Sequence, residues 1–126
     1  VPPSERSAAS KRNVELGRII SGPLFDENFA SDAATAAYDR SFYPTGAAFQ
    51  IAAIAKTGDR TEALKQLPHR ALVIHGQADP LITHQEAKRL RRDPGLDLLM
   101  LNEMGHDLPR PLWNTIVGAI GEHIAA

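Results

Sequence analysis

The chain has 126 residues, of which 43% are hydrophobic, and this is enough for one globular domain with a buried core. The 14 basic and 15 acidic residues nearly cancel, so we expect neither nucleic acid nor a membrane surface as a partner. Cysteine is absent, which excludes disulfides, thiolate nucleophiles and Cys-ligated metals. With no apolar run of transmembrane length, the composition predicts a soluble, cytoplasmic protein.

The first part of the chain, residues 1–67, is predicted to be all-helical. Apolar residues at helical spacing predict a short first helix over 14–20, closed by Gly22-Pro23, and two further helices over 26–40 and 45–56. Gly58 is the expected end of the third helix. The run Asp59-Arg60-Thr61-Glu62 then fits a capping box that opens a short fourth helix.

The second part, residues 68–126, has a different pattern, in which short apolar runs are bounded by Gly, Asp and Pro. Residues 71–75 predict a strand buried on both faces, as in a parallel sheet, and residues 97–101 predict a second one. A capping box at Thr83-His84-Gln85-Glu86 predicts a helix between them that stops at Asp93-Pro94-Gly95. Pro109 or Pro111 opens a last amphipathic helix.

The predicted order of strand, helix, strand and helix indicates an α/β fold with part of a doubly wound parallel sheet. In such folds, reactive residues lie in loops beyond the carboxyl ends of the strands. Asp79 follows the first strand and His106 follows the second, so the two side chains are expected to meet. A carboxylate that accepts the Nδ1 proton of a histidine makes that histidine a general base for acyl transfer.

The turns Gly76-Gln77-Ala78-Asp79 and Gly105-His106 resemble the acid turn and the histidine turn of α/β-hydrolase-fold esterases, in the same chain order. Residues 1–67 resemble the helical cap of that family. Within it, Ala37-Tyr38-Asp39-Arg40 and Gly58-Asp59-Arg60-Thr61 are similar to the cap of actinobacterial hydrolases related to aclacinomycin methylesterase. The resemblance implies a small-molecule ester substrate, with His106 and Asp79 as base and acid of a catalytic triad and with no cofactor or metal.

The nucleophile of such a triad is missing, because the chain contains no Gly-x-Ser-x-Gly elbow. Its serines lie in the helical part without the flanking glycines that the elbow requires; they are Ser4, Ser7, Ser10, Ser21, Ser31 and Ser41. We therefore expect this chain to be the C-terminal part of an enzyme roughly twice as long, whose N-terminal half carries the nucleophile and the oxyanion hole. Alone, the chain is expected to be inactive.

Substrate contacts are predicted in the cap, where Phe42, Phe49 and Ile54 are candidates for lining an acyl or alcohol pocket. Apolar side chains at helical spacing are also typical of a core. The same two interpretations apply to four other aromatic residues of this segment, Phe25, Phe29, Tyr38 and Tyr43.

Among the remaining polar residues, His75 is interpreted as a packed residue or a neighbour of the site. Asp107 is adjacent to His106 in a tight turn and is expected to point away from it. His69, His84 and His123 are expected at the surface, and their spacing does not fit a metal site.

Two alternatives to an esterase remain open. A dehalogenase with an Asp nucleophile, or a cofactor-free haloperoxidase, would use the same fold and differ at the missing elbow. A non-catalytic module is the other alternative, because two strands make a poor sheet and an open edge favours pairing with another chain. In that case the chain would form a homodimer.

Overall fold

The computed structural model describes residues 3–90 and 95–126. Over those residues the chain forms six α-helices and one two-stranded parallel sheet, so the predicted α/β class and the predicted order of elements are confirmed. The elements are α1 (Pro3–Ile20), α2 (Glu27–Arg40), α3 (Pro44–Thr57), α4 (Thr61–Lys65), β1 (Ala71–Gly76), α5 (His84–Leu90), β2 (Leu96–Leu101), a 3-10 turn (Arg110–Leu112) and α6 (Trp113–Ala125). None of the helices in the described part of the chain combines the length and the apolar character that crossing a membrane requires.

Helices α1 and α2 form a hairpin. Arg6 near the start of α1 pairs with Asp39 near the end of α2 through both carboxylate oxygens, and Arg18 pairs with Glu27 at the opposite end. The small residues Ala9 and Ala34 are buried. All four paired side chains are largely exposed, so the salt bridges fix orientation more than they add stability.

Helix α1 begins at Pro3, well before the predicted start at residue 14. The segment that the prediction missed contains strong helix formers such as Ala8, Lys11 and Arg12 but no apolar periodicity. Proline is tolerated in a first helical turn. Helix propensity together with the contact to α2 thus extends this helix.

The C-terminal ends of α1, α2 and α3 lie where the sequence predicts them. Gly58 ends α3 with a φ of 67°, a left-handed conformation that glycine adopts without strain. The prediction of a capping box at Asp59 is wrong. Asp59 accepts hydrogen bonds from the amide and the hydroxyl of Thr61, and the Glu62 carboxylate pairs with Lys65. At α5 the box forms as expected on one side, since the Glu86 carboxylate accepts from the Thr83 amide at 2.9 Å.

The predicted stop of α5 at Asp93-Pro94-Gly95 falls largely outside the described residues.

Strands β1 and β2 pair in parallel register, from Ala71 opposite Leu96 to Gly76 opposite Leu101. Their carboxyl ends therefore lie at the same edge of the sheet. Helix α5 contacts both strands and α6 contacts β1. The small core beneath them comprises Leu101, Met104 and Ile116, with Ile74, Leu99 and Leu112 packed against it.

Burial of both strands on two faces was predicted, and this is wrong for the described chain. Both strands are half-buried along their length, and within them only Gly76 and Leu101 are buried. The reason is that the small core covers too little of the sheet. Apolar side chains on α6 also remain exposed, including Val117 and Ile124.

Candidate functional site

Asp79 and His106 meet at the carboxyl edge of the sheet. Asp79 lies in the turn after β1, His106 lies in the turn after β2, and the parallel register brings these two turns side by side. The Asp79 Oδ2 atom is 2.8 Å from His106 Nδ1. The carboxylate side chain is only 4% exposed, whereas the imidazole is 42% exposed. One member of the pair is thus shielded from water and the other is accessible.

Asp79 is held by its own loop as well. Its Oδ1 atom accepts from the backbone amides of Leu81 at 2.8 Å and Ile82 at 3.0 Å, which is a local turn closed by the side chain. These two bonds fix the plane of the carboxylate. Oδ2 is thereby directed at His106, and Nδ1 of that ring is the atom committed to the contact.

The pKa of Asp79 lies below its usual range. Burial on its own would raise this pKa, because desolvation disfavours the charged form. The hydrogen bonds from the Ile82 amide, His106 and the Leu81 amide outweigh burial, since each stabilises the carboxylate. Asp79 is therefore ionised at neutral pH and can stabilise a positive charge on His106.

Close backbone packing joins the two turns. A Cβ atom at Gly76 would collide with the carbonyl oxygens of Met104 and Gly105, and one at Gly105 would collide with the amide of Gly22 and the carbonyl of Ile20. The turns are also hydrogen-bonded, because the Ala78 amide donates to Met104 at 3.0 Å. Glycine is required at these positions so that the backbones can approach.

The end of α1 forms part of the site. The backbone amide of His106 donates to the carbonyl of Ile20 at 2.8 Å. Gly22 was interpreted as a helix stop only, and its contact with the histidine turn was not predicted. Because this contact joins residues far apart in the chain, no local sequence signal could have revealed it.

His106 borders a cavity of about 300 Å³. Its walls include His75, Asp79 and Met104 on the inner side. Two exposed apolar side chains, Ile82 and Leu108, also line it. Since Nδ1 faces Asp79, Nε2 is the ring atom left available to a reacting group. Among the described residues, no hydrogen bond links Nε2 to a hydroxyl group.

The three predicted substrate contacts lie elsewhere. Phe42 stacks on Tyr38, with ring centroids 4.4 Å apart, beside a separate cavity of about 330 Å³. Phe49 and Ile54 lie on α3 and are 62% and 75% exposed. None of the three lines the cavity at His106. Their role in substrate binding stays a prediction.

Asp107, the neighbour of His106 in the chain, takes no part in the pair. The Oδ1 atom of Asp107 is buried and has no hydrogen-bond partner within the described part of the chain, and the histidine contact goes to Asp79 as expected. Over residues 3–90 and 95–126, no group of three or more His, Asp or Glu side chains could hold a metal ion.

An aromatic cluster that the sequence did not indicate connects α2 to the histidine turn. The Phe29 and Trp113 rings meet edge to face with centroids 5.8 Å apart, and the Arg110 guanidinium lies 5.5 Å and 5.9 Å from the two centroids. Trp113 donates from Nε1 to the carbonyl of Leu108 at 2.8 Å. The cluster holds the segment just after His106 against the helical hairpin.

Comparison with known proteins adds no family assignment: a scan against models of protein families finds no match, and a search of curated proteins finds no significantly similar sequence.

Proposed function

We propose that this chain supplies the acid and the base of a Ser-Asp-His carboxylic ester hydrolase. The observation that carries the proposal is the 2.8 Å contact between the buried, ionised Asp79 and Nδ1 of the accessible His106. Such a pair fixes the tautomer of the imidazole and stabilises the imidazolium that forms when it accepts a proton.

In the proposed reaction, Nε2 of His106 accepts the proton of a serine hydroxyl as that oxygen attacks the ester carbonyl. His106 then gives this proton to the departing alkoxide, so the alcohol leaves and an acyl-enzyme remains. In the second stage His106 accepts a proton from water, which attacks the acyl group, and it returns the proton to the serine oxygen. Asp79 stays ionised throughout and orients the ring.

The serine is proposed to come from an N-terminal half of the same protein. The sequence has no nucleophile elbow, and no serine lines the cavity at His106 in the described residues. The half-buried sheet and the exposed apolar side chains around it also support a further sheet segment in the complete enzyme. The substrate is then a small ester whose apolar groups contact Ile82 and Leu108.

Hydrolysis of a short p-nitrophenyl ester tests the proposal, measured for the chain alone and for the longer polypeptide that contains it. We expect the chain alone to give the same rate as its His106→Ala variant. In the longer polypeptide, Asp79→Asn should lower kcat by about ten-thousand-fold and His106→Ala by about a million-fold. His69→Ala is the matched control and should retain full activity, because His69 is exposed and does not line the cavity.

A longer polypeptide without hydrolytic activity, or one that stays active without His106, would contradict the proposed function. Activity of the chain alone that is lost in His106→Ala would instead place the nucleophile within these residues and overturn the proposed origin of the serine.

A further inference from the structure

A second histidine lies against the same carboxylate. His75 is the penultimate residue of β1, four positions before Asp79, and its Nε2 atom is 3.7 Å from Asp79 Oδ2. Its side chain is only 12% exposed. Among the described residues, neither ring nitrogen of His75 has a hydrogen-bond partner, although both are buried. The proposed reaction makes no use of this ring.

Buried polar atoms without a partner are rare, because a donor or acceptor that is removed from water and gains no hydrogen bond destabilises the fold. Asp79 offers the missing partner. Its Oδ1 atom already accepts two backbone amides, whereas Oδ2 accepts a hydrogen bond from His106 alone within residues 3–90 and 95–126. A carboxylate oxygen has two lone-pair sites, so Oδ2 can accept a second donor. The present distance of 3.7 Å between His75 Nε2 and Asp79 Oδ2 is longer than a hydrogen bond, so the bond requires the two atoms to approach by about 0.5 Å.

The tautomer follows from the same geometry. If the proton of the neutral ring were on Nδ1, the lone pair of Nε2 would face a negative oxygen, which is unfavourable. With the proton on Nε2, the contact is a charge-assisted hydrogen bond, and only an acceptor is left unpaired at Nδ1.

We propose that His75 is a positioning residue, which donates from Nε2 to Asp79 Oδ2 and shares this oxygen with His106. Two donors on one oxygen hold it from both sides and divide its negative charge. His75 therefore limits the strength of the hydrogen bond between Asp79 and His106. Its role in a hydrolase rests on the proposed function, whereas the hydrogen bond itself does not.

Nitrogen-15 NMR of the histidine rings in the unmodified 126-residue chain tests the proposal directly, at about pH 8, above the ordinary histidine pKa of about 6.5. We expect His75 to be fixed in the neutral form that is protonated on Nε2. A ring protonated on Nδ1, or a rapidly exchanging mixture of the two tautomers, would overturn the proposal. This measurement needs no variant.

Two variants add a signature that a merely structural role would not produce. In His75→Leu, Asp79 Oδ2 loses one of its two donors, so the proton on His106 Nδ1 should form a stronger bond and resonate further downfield. His75→Gln restores an N–H donor and should return this resonance towards its original position. An unchanged resonance in His75→Leu would contradict the shared oxygen.

The two proposals fail separately. If the longer polypeptide does not hydrolyse esters but His75 has the expected tautomer, the function is wrong and the hydrogen bond stands. If hydrolysis depends on His106 but His75 has the other tautomer, the function stands and the role of His75 is wrong.

Discussion

Two regions of the molecule are rich in small and apolar residues: the pair of turns that carry Asp79 and His106, and helix α3. Their surroundings differ completely. In the turns, Gly76 and Gly105 are buried and contact backbone atoms of neighbouring segments. In α3, every residue except Gly46 is exposed. Similar residue types thus give a closely packed site in one region and an uncovered surface in the other. What separates them is contact with distant segments, which is close at the turns and sparse along α3 over the described residues.

The largest effect on stability is expected at the glycines where backbone segments are in contact. Gly105→Ala places a methyl group against the amide of Gly22 and the carbonyl of Ile20, which cannot move independently, and should destabilise the fold by about 3 kcal/mol. Gly118→Ala in α6 is the matched control, because no atom lies near its Cβ position, and it should stabilise the helix by about 0.5–1 kcal/mol. Urea unfolding followed by circular dichroism measures both. Equal changes in the two variants would mean that the turns are not closely packed.

The second largest effect on stability is expected from acidification. Because the folded pKa of Asp79 lies below its unfolded value, ionised Asp79 stabilises the fold above the unfolded pKa of about 3.9. That contribution should be lost as the pH falls from there through the lower, folded pKa. Asp79→Asn should remove this pH dependence and cost about 1–2 kcal/mol at neutral pH.

The control for the acid effect is Asp97→Asn, which changes an exposed carboxylate paired with Arg70. It should alter stability by less than about 1 kcal/mol. Thermal unfolding measured across the acid range compares the two variants. Identical acid profiles for Asp79→Asn and the unmodified chain would show that Asp79 is not held by its hydrogen bonds.

The smallest effect on stability is expected from a substitution on α3. Ile54→Gln should change the stability by no more than about 0.5 kcal/mol, because this side chain is 75% exposed. Ile116→Ala, in the core, should cost about 2 kcal/mol. Differential scanning calorimetry compares them. A large loss in Ile54→Gln would show that α3 is covered in solution, and sedimentation would then show whether a second copy covers it.

Much of the fold could be predicted from local pattern. The apolar runs of β1 and β2 and the glycine that ends α3 are signals that act over a few residues, so sequence alone locates them. The start of α1 was missed because the segment has no apolar pattern, although its helix formers are a local signal; its contact with the distant Asp39 is not readable from the sequence. The burial of the strands was overestimated. An apolar run indicates that a strand favours burial, but it does not indicate how much of the strand other segments cover.

The sequence by itself determined that an acid and a histidine follow neighbouring strands, in an order that allows them to meet, because parallel strands end at one edge of the sheet. Only the tertiary structure decided that Oδ2 of Asp79 lies between two imidazoles, that the end of α1 binds the backbone of His106, and that Arg110 joins Phe29 to Trp113. These contacts depend on distances between segments remote in the chain. Local periodicity and turn chemistry carry no information about them.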